Sequence, residues 1–536
     1  MEGKKRIRWQ VILPPWLFIA VMVILNLWKY DLFVKTVTAV VDCILNSFAW
    51  MFNGITLAVT VIVVICYVTP IKHIRFGGAK ARPMISYRSY VWIVLCTIMG
   101  AGLMLWACAE PVIHLHKPSV SVAAGAMSTE AVHWAMENIM LEWTFSLMAI
   151  YALAAILFAF VFYNMKKKFS VGSMLIPLIG DKRAEKYGSW IDMLCVFSIA
   201  TGLAATLGSG ILLLVEGVVQ ATGGRVENSK TAWIICAVLL IVTFTLSASS
   251  GLKKGITFFS NLNAWFYFAL GMFILVFGPT AYILNLGSES FGGYLTNFFK
   301  LSLQTSTADG DGWSRWWTQF YWLIAFAWTP MSAVFLGRIS RGYTVKDTLN
   351  IIFVVPSLFS VLWMSLFSGS SIYYELTGHG LYDAIMNGNT ASAAYTLLKC
   401  LPLAGVIIPV FIFTGFISYV TSADSNTNAM AALCTEGIEE NNQEAPMSMK
   451  VFWGVSIGAL CIIMLSAYGI DGMKMLADIG GFPSAFLMIA FGIAWLCIMK
   501  NPQKYDGHKE DYDAHGKPYK TERLPVKEDG KGERYE

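Results

Sequence analysis

Two apolar stretches of the sequence carry helix breakers beside polar residues, each about a dozen residues into its run. The first is Met99-Gly100-Ala101-Gly102 and the second is Trp328-Thr329-Pro330-Met331-Ser332. Unwound backbone at membrane depth exposes N–H and C=O groups that lipid cannot satisfy, so it persists only beside a cavity. Corresponding breaks in two halves of a chain point to a transporter with a binding site near the bilayer midplane. Taken singly, the glycines are small residues for close helix packing and Pro330 is a plain kink. The matched pair favours the site. Trp143 and Trp328 lie about ten residues inside their runs, too deep for the interfacial belt that accounts for Trp9, Trp16, Trp28, Trp50 and Trp92. Helix packing is the alternative role for these two indoles.

Other chemistries lack their residues. The seven His, at 73, 114, 116, 133, 379, 508 and 515, all fall outside the deep parts of the expected spans. HExxH and paired intramembrane Asp motifs do not occur, which argues against an enzyme. The ten Cys are scattered singly, with neither disulfide nor metal spacing. A channel would need a ring of carbonyls or charges from repeated pore loops, and none is visible. No basic stripe with interleaved aromatics suggests nucleic acid.

The elements that must position these residues follow from composition. The chain has 536 residues, 56% of them hydrophobic and 14% charged, with 34 Phe, 19 Trp and 25 Met. A soluble core could not hide that much apolar surface, so the chain is read as a polytopic membrane protein. About 20 apolar residues cross a bilayer. On that measure twelve spans are expected, near 11–28, 49–70, 90–110, 134–163, 188–221, 231–250, 256–286, 317–337, 348–372, 400–432, 451–470 and 475–498. The N-terminus and the linkers at 72–88, 166–186, 253–254 and 338–346 hold twenty Lys and Arg, against nine in the outward linkers. The positive-inside rule then puts both termini in the cytoplasm, at the plasma (inner) membrane. The two breaks stand five spans apart, which suits an inverted repeat of five helices after a two-helix prefix. The expected organisation is a tail and prefix at 1–89, a first repeat at 90–287, and an extracellular linker with the second repeat at 288–499. A cytoplasmic tail at 500–536, of mixed charge and few large apolar residues, is expected to be largely disordered.

At these motifs the chain resembles the betaine/choline/carnitine transporter family. The third span, Met99-Gly-Ala-Gly-Leu-Met-Leu-Trp106 through Ala109-Glu110-Pro111, resembles its glycine-rich stretch and acidic-proline close. Phe320-Tyr321-Trp322 with Arg338-Ile-Ser-Arg-Gly342 resembles its eighth-span signature and following linker. Gly251-Leu-Lys-Lys-Gly255 and Thr421-Ser-Ala-Asp-Ser425 resemble its linker before span seven and its tenth-span motif. The resemblance implies a LeuT-like fold, usually a homotrimer, that moves small zwitterionic or cationic solutes such as betaine, carnitine or choline.

A quaternary ammonium has no N–H and must be held by shape and by cation–π attraction to aromatic faces. By resemblance the substrate site comprises Trp143, Met148 and Tyr151 in span four and Ile324, Ala325, Trp328, Met331 and Ser332 in span eight. Ala101 of the broken third span joins them, and Trp317 takes the place where sodium-free exchangers hold a second substrate molecule. Four positions depart from the family's pattern. Met148 and the pair Ile324-Ala325 stand where it carries Trp, and Glu142 stands where it usually carries His. Glu142 is read either as facing a substrate ammonium or as solvated in a vestibule. Ser332 is a candidate partner for a carboxylate or sulfonate end.

The resemblance also implies Na+ as coupling ion, held by the Thr421 and Ser422 hydroxyls and backbone oxygens around Cys96 and Met99. Sodium-independent exchangers carry an Arg where this chain has Asn263, so sodium symport is favoured over exchange of the carnitine/butyrobetaine type. Another small zwitterion such as taurine is the alternative substrate class. No cofactor beyond that ion is expected.

Overall fold

The computed structural model describes residues 6–249, 255–439, 445–521 and 523–526, without the side chains of 99–101, 248–249 and 255–256. Every expected span has a helical counterpart. In order they are Trp9–Trp28, Tyr30–Val68, a bent third span made of Tyr87–Val94, Leu95–Met99 and Gly100–His116, Thr129–Asn164 and Asp181–Ala221. The remaining seven are Lys230–Ser249, Gly255–Phe277, Trp313–Ile339, Val345–Leu376, Ala404–Leu433, Met447–Tyr468 and Ile470–Lys500. The described residues form helices, turns and three isolated bridges, which makes the protein all-α.

Span five is the pillar. Its most apolar 18-residue window is 100% enclosed by other helices, whereas spans one and six enclose 28% and 22% of theirs. Small residues along it let neighbouring helices approach closely. A Cβ on Gly202 would lie 3.0 Å from Ala327 Cβ and 3.1 Å from Trp328 Cδ1, so only glycine admits span eight at that level. The lipid-facing helices instead present large apolar side chains, such as Leu27, Leu246, Phe258 and Val276, to a solvent in which they cost nothing.

Three boundaries differ from the sequence reading, each for a local reason. Span two begins at Tyr30, because the polar residues Lys35 and Asp42 interrupt its hydropathy without breaking its helix. Span seven ends at Phe277, where Gly278 and Pro279 stop it, and a further helix, Thr280–Leu303, follows. That helix runs across the boundary drawn at 287 and docks on span four, with Asn297 Nδ2 donating to Glu137 Oε2 at 2.9 Å. The tail is not disordered through its first twenty residues. Asn164 at the end of span four donates to Arg75 O at 3.1 Å and to Asp506 Oδ2 at 2.9 Å, and its Oδ1 accepts from Gly77 N at 3.1 Å. Tyr512 donates to Asp506 at 2.7 Å, and Asp511 accepts from Ala79 N at 2.7 Å. Specific polar contacts, invisible to composition, order this segment. They also gather the tail, the 75–79 linker and the end of span four on one end of the bundle.

The two helix breaks resolve differently. The third span bends by 51° between Tyr87–Ile98 and Gly102–His116, with a π turn over Leu95–Met99. In span eight Pro330 stays within the helix Thr318–Met331, and the irregularity is a π turn just after it, at Ser332–Leu336. π turns absorb an inserted residue without losing the helix, and they recur at functional sites.

Candidate functional site

Spans four and eight run side by side in the same direction. Thr318 Oγ1 donates to Glu142 Oε1 at 2.8 Å, and the rings of Trp143 and Tyr321 meet at 5.1 Å. Further along, a Cβ on Gly337 would lie 2.8 Å from Ala155 O, and Tyr163 donates to Arg338 O at 2.6 Å. Side chains therefore descend both helices in step. From Tyr321, positions three, four and seven along lie on one helical face, which carries Ile324, Ala325 and Trp328. At about 1.5 Å per residue, Met148 comes at about the level of Ile324 and Ala325 along the paired helices, and Tyr151 at about that of Trp328. Met148, Tyr151, Ala325, Trp328, Met331 and Ser332 are buried, while Ile324 is half-buried. The Trp328 Nε1 and Ser332 Oγ have no hydrogen-bond partner among the described residues, so both remain available to a ligand.

Span four is itself broken here. Its helices Thr129–Trp143 and Phe145–Ala159 meet at Thr144, whose φ of −116° and ψ of −124° are non-helical. The Thr144 hydroxyl donates to Met140 O at 2.5 Å, taking up a carbonyl that the broken ladder leaves. No Gly or Pro marks this break in the sequence. Trp143 is the last helical residue before the break, and its indole enters the space above Gly102, where a Cβ would lie 2.6 Å from Trp143 Cη2. Gly102 thus makes room for the ring rather than loosening the helix. Met99 and Ala101 lie outside the residues whose side chains are described.

Glu110 holds this level together. Its Oε2 accepts from Trp143 Nε1 at 3.1 Å and from the Tyr321 hydroxyl, joining spans three, four and eight. Its Oε1 lies 3.4 Å from His114 Nε2, and ligand atoms of Glu110, His114 and Glu142 all fall within 4.8 Å of one another. Glu142 is fully buried, which excludes the solvated vestibule. His114 is buried too, against the expectation that no His lies deep. It is wedged between Trp134, Trp313 and Trp317 with ring centroids 5.7, 5.0 and 4.5 Å away.

Trp317 has a neighbour that the sequence reading put in an outward linker. Lys474, in the first turns of span twelve, sets its Nζ 3.7 Å from the Trp317 centroid, 5.0 Å from Phe320 and 5.1 Å from Trp106. The rings and the ammonium pack together at the N-terminal end of span eight.

The tenth-span hydroxyls lie beside the π turn of span three and beside span seven. Thr97 Oγ1 and Ser425 Oγ are 3.2 Å apart, and Ser425 Oγ donates to Thr421 O at 2.9 Å. Cys96 Sγ donates to Ser260 O at 3.4 Å, while Asn263 Nδ2 donates to Ser418 Oγ at 2.8 Å. The Thr421 hydroxyl bonds back to Ser418 O at 2.9 Å. The Ser422 Oγ and Asn263 Oδ1 are buried without a partner among the described residues. Orphaned oxygens cost about 1–3 kcal/mol each when sealed from water, and they suit a small hard cation, which takes oxygen ligands.

Glu110, His114, Lys474 and Thr144 were missed as site residues. Glu110 stood in the quoted motif, and buried charge in an apolar run is itself a functional signal. The Thr144 break left no signal.

The betaine/carnitine/choline transporter family model matches residues 10–504. Among characterised relatives, the ectoine/hydroxyectoine transporter of Virgibacillus pantothenticus is 27% identical, over 86% of this chain and 91% of its own. The probable glycine betaine transporter of Desulfitobacterium hafniense is 28% identical, over 85% and 90%. The high-affinity choline transport protein of Escherichia coli is 28% identical, over 89% and 70%. A solved sodium-coupled sialic acid symporter superposes with a TM-score of 0.42 at 13% identity, covering 82% of this chain and 85% of its own. With eleven candidate spans and one bent pair in the expected order among the described residues, and a match over nearly its whole length, the chain belongs to the betaine/carnitine/choline family of transporters, and it is not an enzyme.

Proposed function

We propose that the protein takes up a small zwitterionic quaternary ammonium compound by sodium symport with alternating access. The observation that carries this reading is the pair of Trp143 and Tyr321, whose rings meet at 5.1 Å between parallel spans four and eight, the helices that also carry Met148, Tyr151, Ile324, Ala325 and Trp328. Aromatic faces there attract a cation that has no N–H to donate. With Met148, Ile324 and Ala325 in place of aromatic residues, the cage is incomplete, and each missing ring forgoes about 0.5–2 kcal/mol. Affinity is accordingly lower than in a complete cage. Ser332 Oγ serves the anionic end of the zwitterion. Thr421, Ser422 and the carbonyl oxygens near Cys96 and Met99 hold the coupling sodium, and the absence of an Arg at Asn263 favours symport over exchange. The reading includes the family's homotrimer and an inner membrane with both termini in the cytoplasm.

The test is a thermal-shift panel on the purified protein with betaines, carnitine, choline, ectoine, taurine and amino acids, with and without sodium. Specific ligands raise apparent stability in proportion to the logarithm of their concentration. A sodium-dependent shift with glycine betaine or carnitine is expected; a shift with taurine alone rejects the quaternary ammonium.

A further inference from the structure

Lys474 is 7% exposed. Its Nζ faces three aromatic rings, with Trp106 and Trp317 standing edge to face at 5.9 Å and Phe320 6.5 Å from Trp106. Its one polar contact among the described residues is the Trp316 carbonyl, at 3.3 Å. An ammonium pays heavily to leave water, and a Leu or Met would fill the same space without that cost. The carboxylates of Glu110, Glu142, Asp471 and Asp478 act on this ammonium through space. What faces it directly is aromatic, an arrangement suited to a cation that offers charge without needing acceptors.

We propose that Trp106, Trp317 and Phe320 form an ammonium seat that the protein fills with its own Lys474. The seat therefore holds no second substrate molecule, and the solute that passes it is bound only at the deeper level of Trp143 and Trp328. Trp317, expected by resemblance to hold such a molecule in exchangers, here holds the lysine. The geometry of the seat stands independently of the transport reading. Only the statement that the seat lies on the solute's route rests on it. Lys474 thus acts as a specificity residue. It limits occupancy to one quaternary ammonium, which suits a carrier that need not meet a counter-substrate.

The experiment is calorimetric titration of the purified full-length protein with tetramethylammonium, a probe that tests cation–π binding alone. Lys474→Ala vacates the seat and is expected to bind one more equivalent than the parent. Adding Trp317→Leu to that variant should remove the extra equivalent, and Lys474→Met, which refills the seat without charge, should never gain it. An Ala variant with the parent's stoichiometry overturns the proposal. If Lys474→Ala is too unstable to titrate, tetramethylammonium should restore its thermal stability in a concentration-dependent way, and failure to do so overturns the proposal equally. The comparison is a difference between variant and parent. A parent that binds no betaine would defeat the transport reading while leaving this test intact.

Discussion

Glu110 and Trp143 are joined by a 3.1 Å hydrogen bond from the indole Nε1 to Oε2, and the Tyr321 hydroxyl donates to the same oxygen. One carboxylate on span three therefore sets the angle of two rings on spans four and eight. Hydrogen bonds to a charged acceptor contribute about 1.5–3 kcal/mol each, enough to fix the rings before a solute arrives.

Glu110→Gln keeps the shape but loses the charge and one acceptor oxygen. Substrate affinity should fall about ten-fold, the equivalent of ~1.4 kcal/mol, in a binding assay on folded protein. Glu110→Asp withdraws the acceptor by one methylene and should fall similarly. Unchanged affinity in both would remove Glu110 from the site.

Trp328 packs its indole on span five at Gly202. Trp328→Leu should weaken quaternary ammonium binding by about 1–2 kcal/mol, roughly ten-fold, while Trp328→Phe should retain part of it. Equal losses for Leu and Phe would assign the ring to helix packing.

Ser422 is the sharper probe of coupling, because its Oγ has no hydrogen-bond partner to lose among the described residues. Ser422→Ala should abolish or strongly reduce sodium stimulation of uptake with little change in thermal stability, and Thr421→Ala should add to the loss. Sodium stimulation that persists in the double variant would place the ion elsewhere.

Asn164 ties the end of span four to the 75–79 linker and to the tail. Asn164→Ala leaves Arg75 O, Gly77 N and Asp506 without this partner, at about 1–3 kcal/mol for each group that water does not reach. Hydrogen exchange should then quicken in residues 502–519 and leave the spans protected. Unaltered exchange in the tail would show that other contacts hold it.

The helices were legible in the sequence because lipid forces each span to satisfy its own backbone and to be apolar over a fixed length. The breaks were half legible. Gly102 announced a close approach, whereas Thr144 breaks span four by tertiary fit and bears no Gly or Pro. Span eight carries Pro330 inside an intact helix and deforms one turn later. The ring positions followed from motif order. The charges did so only in part: Glu142 stood out as a departure from the family pattern, whereas Glu110, His114 and Lys474 come from spans three and twelve and meet their neighbours only when the chain is packed. Lys474 in particular looked like a linker residue four positions into a helix whose apolar run starts just after it.

Sodium-driven uptake of a quaternary ammonium zwitterion is tested most directly in reconstituted vesicles. Labelled glycine betaine or carnitine uptake is measured with an inward sodium gradient, without one, and against excess unlabelled taurine. Accumulation that requires the gradient and that taurine leaves unchanged is expected. Sodium-dependent uptake of labelled taurine, with no measurable binding of either betaine or carnitine, would contradict it.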